Sequence, residues 1–332
     1  MKITSFFTTL CLIAQALSDN IEISSDTKTW GQAVIEYSDV TIDSGATWKI
    51  VDVGYVHFHD NFLNNGDFFV TSTQEDQAIN FKIADFKSKT TNNGRMVISS
   101  GSSFFSPSFS INGGSFENNG KAFFSGNSKS GIPISQITPR SFTNNGLIAL
   151  YQDKKNSGLV DLGQLWQSFT NDGTVCLRNQ AFDQQSAIKG KGCFDIGENS
   201  NVWIKTSLLP ISTDQVFYFS SDYGSIRVEA VSGTQTFNVK NWGGNNIIGL
   251  SLPISSFGYT PGSGVLTLTC GFLNFNFNIG KGYDINLMQK VTADYGSGGI
   301  VINGGLVYKG STPQNSRPDI CMTCEDVPEF SV

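Results

Sequence analysis

The chain has 332 residues and a mass of 36.0 kDa, enough for one large domain or two of medium size. It contains 22 Lys and Arg residues against 28 Asp and Glu residues, and the net charge of −6 argues against a protein that binds the backbone of nucleic acid. Only 15% of residues are charged, whereas 35 are glycine and 26 are phenylalanine. This composition excludes disorder and predicts an all-β fold of short strands and many turns.

Residues 1–18 are predicted to be a secretion signal. Lys2 precedes a mostly apolar run over residues 6–16, and small residues at 14, 16 and 18 offer cleavage sites. This run is too short to span a bilayer, which needs about 20 residues, and no later stretch is long and apolar enough. The sequence therefore predicts a secreted protein without a transmembrane segment, in which disulfides can form.

A repeat of 26–28 residues is the strongest pattern in the sequence. The triplet Asn-Asn-Gly, once Asn-Asp-Gly, ends at Gly66, Gly94, Gly120, Gly146 and Gly173. The residues two and four positions after each glycine are apolar, which indicates strands with one buried face. A period of about 27 residues suits one coil of a parallel β-solenoid with three short strands, and we expect a right-handed β-helix.

Each column of the repeat predicts a ladder, because equivalent residues of stacked coils lie about 4.8 Å apart. The residues four positions before glycine would stack as aromatic rings inside the solenoid, and the asparagines two positions before glycine would form a ladder of amide hydrogen bonds. The glycine would allow a positive φ at the turn. These columns are Phe62, Thr90, Phe116, Phe142 and Phe169, and Asn64, Asn92, Asn118, Asn144 and Asn171.

One apolar column departs from the alternation of a half-buried strand. Three residues after each glycine, on what should be the outer face, stand Phe69, Val97, Phe123, Ala149 and Cys176. We expect either that a second domain or an N-terminal segment covers this column, or that it is an exposed stripe that binds a ligand. Phe69, Val97 and Phe123 are therefore the candidate binding residues.

The pattern changes on both sides of the repeat. Residues 21–60 contain strand-like runs that predict an irregular first coil or N-terminal cap, so the solenoid with its cap is placed at 19–198. Discrete alternating strands with Gly, Ser and Asn turns then predict a β-sandwich over 199–312. The remaining residues, 313–332, hold little periodicity and are predicted to be a loop or tail.

The cysteines indicate a disulfide framework with one thiol left over. Cys11 leaves with the signal peptide, and five cysteines remain. Many pairings are open; we favour Cys176 with Cys193, and Cys270 with either Cys321 or Cys324. The Cys-x-x-Cys spacing of the last two also fits zinc or redox chemistry, but the sequence has no second such pair and no histidine nearby.

Catalytic and metal-binding patterns are sparse. His57 and His59 share one face of a predicted strand and suit a metal, but with only Asp60 beside them the structural interpretation is preferred and no metal site is predicted. Asp153, Asp161 and Asp172 are scattered acids that we interpret as solvated turn residues. No pair of carboxylates is expected on neighbouring coils, so neither an enzyme nor a cofactor is predicted.

Several segments together resemble a known family, the N-terminal domain of the hyphally regulated cell wall proteins of Candida-type yeasts. The resemblance covers nearly the whole chain after the signal peptide. The segments that carry it are 44–50 (SGATWKI), 141–152 (SFTNNGLIALYQ), 170–178 (TNDGTVCLR), 188–193 (IKGKGC), 278–284 (NIGKGYD) and the terminal Cys-x-x-Cys.

The resemblance implies a β-solenoid followed by a sandwich resembling α-crystallin, a location at the fungal cell wall, and a role in adhesion and host interaction. No catalytic residues come with it. Family members continue into a Ser/Thr-rich stalk and a glycosylphosphatidylinositol anchor signal; neither is seen here, so a truncated or released form is expected. Without an Asn-x-Ser/Thr sequon, glycosylation would be O-linked.

The predicted function is that of a non-enzymatic adhesin. It would bind a host-cell surface or glycan weakly, with affinity gained from many copies on one cell. The alternative is a structural wall protein that shields the surface or associates with wall polysaccharide.

Overall fold

The structure is a computed structural model that describes residues 19–101, 103–153, 158–233, 235–292, 302–313 and 316–328. The predicted signal peptide lies outside the described residues. Within them the regular structure is β-strand, apart from one 3₁₀ turn at Ile285–Leu287. The all-β prediction is confirmed.

The strands wind into a parallel β-solenoid of about nine turns with three faces. Within each full coil the first, second and third strands pair with their equivalents in the next coil. They form three sheets, called sheet A, sheet B and sheet C in that order, with 8, 13 and 12 strands in the described residues.

The strands, in chain order, have the following bounds. The first four coils contain β1 (Ile21–Ile23), β2 (Thr27–Trp30), β3 (Val34–Tyr37), β4 (Val40–Ile42), β5 (Thr47–Val51), β6 (Tyr55–Phe58), β7 (Phe62–Asn64), β8 (Asp67–Thr71), β9 (Asn80–Ile83), β10 (Lys89–Asn92), β11 (Arg95–Ser99) and β12 (Ser108–Ile111). The next four contain β13 (Ser115–Asn118), β14 (Lys121–Ser125), β15 (Ile134–Ile137), β16 (Ser141–Asn144), β17 (Leu147–Tyr151), β18 (Gly158–Leu162), β19 (Ser168–Asn171), β20 (Thr174–Arg178), β21 (Gln180–Gln184), β22 (Ala187–Lys189), β23 (Cys193–Ile196) and β24 (Asn201–Ile204). The C-terminal part contains β25 (Val216–Phe219), β26 (Ser225–Val228), β27 (Thr236–Lys240), β28 (Ile247–Leu250), β29 (Ser256–Thr260), β30 (Val265–Cys270), β31 (Leu273–Asn278), β32 (Met288–Val291) and β33 (Gly305–Tyr308).

The predicted asparagine ladder runs through the interior at the turn from sheet A to sheet B. Each Nδ2 donates to the Oδ1 of the next coil, from Asn64 to Asn92 and on to Asn171, at 2.7–2.8 Å. The ladder ends where Asn171 donates to Gln215 at 3.0 Å. All five asparagines are fully buried, so these bonds satisfy amides that water cannot reach.

The predicted aromatic stack forms over three coils. Phe142 stacks on Phe116 and on Phe169, with ring centroids 5.6 and 5.0 Å apart. Thr90 interrupts the column, and Phe62 stacks instead on Phe58 of the preceding coil, at 5.4 Å. The interior is thus filled by rings wherever the repeat supplies them.

The repeat glycines are needed for a reason other than the predicted one. None of the five has a positive φ. A Cβ on Gly94, Gly120 or Gly146 would instead lie 1.9–2.0 Å from the carbonyl oxygen of the repeat glycine one coil earlier. Close stacking of one turn on the next therefore excludes any side chain at these positions.

The N-terminal residues form regular coils, not the irregular cap that the sequence suggested. Strands β1 to β3 pair in parallel with β4 to β6, and β4 to β6 pair with the next coil in the same way. The coil pattern therefore begins at Ile21, ahead of the first Asn-Asn-Gly triplet.

The parallel ladders also pass through the predicted boundary at 198/199 without a break. Sheet B continues in parallel from β23 through β25 and β27 to β31, and sheet C from β24 through β26 to β28. The strands assigned to a sandwich between 199 and 250 are solenoid strands. The sandwich prediction is wrong for this stretch, because losing the triplet marks the end of sheet A alone.

Antiparallel strands close the C-terminal end of sheets B and C. In sheet B, β31 pairs with β30 and β30 with β29; in sheet C, β28 pairs with β33 and β33 with β32. A cluster of Trp242, Tyr283 and Tyr308 fills this end, with centroids 4.7–5.9 Å apart. Burial raises the pKa of the Tyr283 phenol, which donates a hydrogen bond to the Trp242 carbonyl.

Candidate functional site

The apolar column on the outer face of sheet B is buried. Phe69, Val97 and Phe123 expose only 6, 2 and 0% of their surface, and they pack with Ala149, Cys176 and Val327. The cover is the C-terminal segment 316–328, called here the tail; it comes neither from a second domain nor from an N-terminal segment. The column is therefore not the exposed stripe that the sequence left open.

Two disulfides hold the tail on this face. Cys193 pairs with Cys321 and Cys176 with Cys324, with Cα atoms 5.1 and 5.9 Å apart. The predicted pairing of Cys270 with Cys321 or Cys324 is wrong, since Cys270 is unpaired among the cysteines of the described residues. The favoured pairing of Cys176 with Cys193 is wrong, because both lie on neighbouring strands of sheet B and each receives one cysteine of the Cys-x-x-Cys pair.

Polar contacts follow the tail along its length. The Met322 amide donates to the Thr174 hydroxyl at 2.9 Å, and Glu325 pairs with Lys121. Asp326 pairs with Arg178 at 3.1 Å. Cys321 is bonded to β23, Cys324 to β20, and Glu325 pairs with β14, so the tail crosses successive turns of the solenoid, while the long Arg178 side chain on β20 still reaches Asp326.

The most buried charge under the tail is Asp195, which is 1% exposed and forms an ion pair with Arg317. Burial raises the pKa of this carboxyl, while hydrogen bonding to Ser220 and the Arg317 guanidinium act in the opposite direction. Arg317 also lies over the ring of Tyr218, 4.6 Å from its centroid. Removing Arg317 would leave a buried charge without its partner, which is costly.

Beside the end of the tail lies a groove of about 530 Å³. One wall is formed by residues 326–328 of the tail. Phe69, Val97 and Tyr151 contribute to the groove, and Asn127 and Asp153 line its other side. Asn127 and Asp153 are themselves joined by a hydrogen bond of 2.8 Å.

A row of hydroxyl side chains crosses the groove. Thr71, Ser99, Ser125 and Tyr151 are register partners on β8, β11, β14 and β17, and all four line the groove. They therefore recur at the strand spacing, about 4.8 Å. Arg178 follows in the same register on β20 and adds a positive charge at the end of the row.

Burial raises the pKa of Tyr151 to about 12, with smaller contributions of the same sign from Asp195 and Asp326. Arg178, whose guanidinium lies 5.8 Å from the ring centroid, acts in the opposite direction. The phenol therefore stays protonated at neutral pH and can donate a hydrogen bond.

A second groove contains two acids, Asp161 and Asp183, that the sequence analysis did not predict to be neighbours. Asp161 and Asp183 lie on adjacent coils of sheet C and line a space of about 370 Å³. Asp161 accepts from Gln136 and Gln185, and Asp183 pairs with Lys205. Each carboxylate is thus engaged by its neighbours. The other two acids accept hydrogen bonds in turns, Asp153 from Asn127 and Asp172 from the Lys191 amide.

One group with the side chains of a metal site is present in the described residues. It combines His57 and His59 with Glu36 of the preceding coil. The sequence identified the two histidines as a possible pair but not Glu36, since the register partners of β3 and β6 are 21 residues apart in the chain and become neighbours only through coil stacking.

A family model described as the hyphally regulated cell wall protein N-terminal matches residues 9–331. The chain belongs to this family. The resemblance seen in the sequence motifs is confirmed.

Curated relatives of this family member come from Candida albicans. It is 38% identical to Cell wall protein IFF9 over 93% of this chain and 34% of the relative, and 34% identical to Hyphally regulated cell wall protein 3 over 93% of this chain and 25% of the relative. It is 33% identical to Hyphally regulated cell wall protein 1 over 97% and 35% of the two chains. The chain thus spans a quarter to about a third of their length.

The names of the family and of these relatives place them at the fungal cell wall, the location that the motifs implied. In the part of the chain that the structure describes, no helix is long and apolar enough to cross a membrane.

Proposed function

We propose that the chain is a non-enzymatic binding region of a secreted fungal cell wall protein, and that it acts in adhesion to host or other cells through the groove beside the tail. The observation that carries this proposal is the row Thr71, Ser99, Ser125 and Tyr151, one hydroxyl on each successive coil.

The row suits an extended ligand that presents polar groups at regular intervals. Hydroxyl side chains both donate and accept hydrogen bonds, and Asp153 and the ion pair of Arg178 with Asp326 add charged groups to the lining of the groove. The aromatic rings of Phe69 and Tyr151 are mostly buried, so they supply edges and not open stacking platforms. A glycan, rich in hydroxyl groups, is the class of ligand that fits these features.

Rigidity supports the same interpretation. The row stands on strands whose spacing is fixed by the buried asparagine ladder, and the wall is held by two disulfides. A preformed groove loses little conformational entropy when it binds. Single contacts would still be weak, and many copies on one cell would provide the strength through avidity.

The structural wall role is the second candidate. This role is favoured by the many side chains that join one coil to the next. They include an exposed amide ladder with hydrogen bonds of 2.7–2.9 Å, formed by Asn65, Asn93, Asn119 and Asn145. In that case the groove would associate with wall polysaccharide of the fungus itself.

Binding of the purified chain to host cells and to arrayed host and fungal glycans tests the proposal, with the protein presented as monomer and as a dense layer on beads. We expect binding to host ligands that is strong only on beads. Binding confined to fungal wall glycans would favour the structural role, and no binding in either format would contradict adhesion.

A matched pair of variants tests the groove. Ser99→Phe fills the middle of the row, whereas Ser110→Phe places the same side chain on the outer face of sheet C in the same coil. Both serines are partly exposed, so the substitutions should not disturb the core. We expect bead binding to be lost in Ser99→Phe and kept in Ser110→Phe; equal binding by both would show that another surface is responsible.

A further inference from the structure

The two histidines of the chain lie together on the outer face of sheet C, near its N-terminal end. His57 is the register partner of Glu36 on the neighbouring strand, and His59 is two residues further along on the same face. The rings of His57 and His59 are 3.9 Å apart between centroids. Coil stacking therefore places two imidazoles and one carboxylate side by side.

From this juxtaposition we propose that Glu36, His57 and His59 form a site for a divalent transition-metal ion of the zinc class. The Glu36 Oε1 atom lies 4.0 Å from His57 Nδ1 and 3.9 Å from His59 Nε2. All three candidate ligand atoms lie within 4.8 Å of one another.

The spacing is close to what coordination requires. In a tetrahedral site with bonds of about 2.0–2.1 Å, ligand atoms are roughly 3.4 Å apart. The two separations from Glu36 exceed this by about 0.5–0.6 Å, and the two histidine nitrogens lie within 4.8 Å of each other. Glu36 and His59 are partly exposed, with 48 and 39% of their side-chain surfaces accessible, so rotation of these two side chains can close the gap.

The chemistry of the donors selects the ion. Imidazole nitrogens with one carboxylate oxygen suit zinc and its neighbours in the first transition row, whereas calcium and magnesium prefer oxygen ligands alone. Three protein ligands leave a coordination position for water. Glu36 and His59 are partly exposed, so water can reach these two side chains.

Metal binding at His57 and His59 requires the neutral ring, which alone offers a lone pair. Two features oppose binding: the Tyr55 hydroxyl, which lies 3.2 Å from Nδ1 and would be replaced by the metal, and the positive charge of Lys82 on the next coil.

Titration of the metal-free full chain with zinc chloride in a calorimeter tests the site. We expect one equivalent to bind, and the affinity to fall roughly tenfold or more in Glu36→Gln and in His59→Gln. Glu22→Gln is the matched control, since Glu22 is an exposed glutamate on β1 of the same coil, and it should bind as the unmodified chain does.

Histidine nitrogen resonances give an independent readout, because the chain contains only two imidazoles. Zinc should shift both rings in the unmodified chain and in Glu22→Gln. The proposal is overturned if zinc does not bind, if both rings are unmoved on binding, or if Glu36→Gln and His59→Gln retain full affinity.

Discussion

At the scale of single residues, the repeat glycines are required by the close approach of each coil to the next. The period marks each glycine, and a turn containing Asn-Gly suggests a positive φ. In the structure none of the five glycines has a positive φ. For Gly94, Gly120 and Gly146, the carbonyl oxygen of the repeat glycine one coil earlier lies about where a Cβ would be. That contact joins residues 26–28 positions apart, so local turn rules do not contain it.

Gly120→Ala should therefore be strongly destabilising. The new Cβ would lie 2.0 Å from the Gly94 carbonyl oxygen, a backbone atom that cannot move without separating two coils. We expect the free energy of unfolding to fall by about 1–3 kcal/mol or more. Chemical denaturation would measure it, with Gly258→Ala as the control because nothing lies within 4 Å of that position. Equal stability of the two variants would contradict the packing argument.

The interior asparagine ladder was predictable, because a fixed period and one buried face dictate which amides meet. Asn118 accepts from Asn92 and donates to Asn144 and to the Leu147 carbonyl. The exposed ladder beside it was missed. Nothing in the triplet distinguishes an outward asparagine that pairs with its neighbour from one that is simply solvated.

Asn118→Ala should cost about 1–3 kcal/mol of unfolding free energy, because one buried N–H of Asn92 loses its acceptor and the buried Oδ1 of Asn144 loses its donor. Asn119→Ala removes the equivalent bonds of the exposed ladder, where water replaces them, and should cost about 0.5 kcal/mol or less. Thermal and chemical unfolding of the pair would compare them. If Asn119→Ala lowered the unfolding free energy more than Asn118→Ala, the exposed ladder would be the more stabilising of the two, and the prediction would be wrong.

At the scale of elements, the tail is the part that sequence reasoning could not place. Its prolines and lack of periodicity predict a loop, and the described residues of the tail form no strand. Its position on sheet B depends on contacts such as Cys176 with Cys324, 148 residues apart. The unexpected apolar column was the only signal that something must cover this face.

The tail should control the titration of Tyr151. Its pKa is raised to about 12, whereas an unfolded tyrosine ionises near about 10. Between these values the unfolded chain binds fewer protons, so this phenol lowers the unfolding free energy as pH rises through that window.

Near-ultraviolet absorbance of tyrosinate, taken as the difference between the unmodified chain and Tyr151→Phe, would follow this group. Replacing Cys176 and Cys324 by serine should loosen the tail and move the difference titration towards about 10. An unchanged titration would mean that burial by the tail is not the cause.

At the scale of the whole molecule, the fold class followed from the repeat but the extent of the solenoid did not. The triplet occupies the turn from sheet A to sheet B and last occurs at the end of β19, one strand before sheet A ends at β22. Sheets B and C continue with strands such as β27 and β26, whose alternating polar and apolar residues suit a sandwich equally well. Alternation of polar and apolar residues indicates that one face of a strand is buried, but it does not indicate which strand is its neighbour in the sheet.

The covered column, the groove wall and the proposed binding all depend on where the tail lies. Mapping the disulfides by mass spectrometry of the unreduced, proteolysed chain tests that position most directly. The structure predicts linked peptides containing Cys176 with Cys324 and Cys193 with Cys321, and an unlinked Cys270. A peptide joining Cys176 to Cys193, or either of them to Cys270, would contradict it, because the tail would then not be held across sheet B.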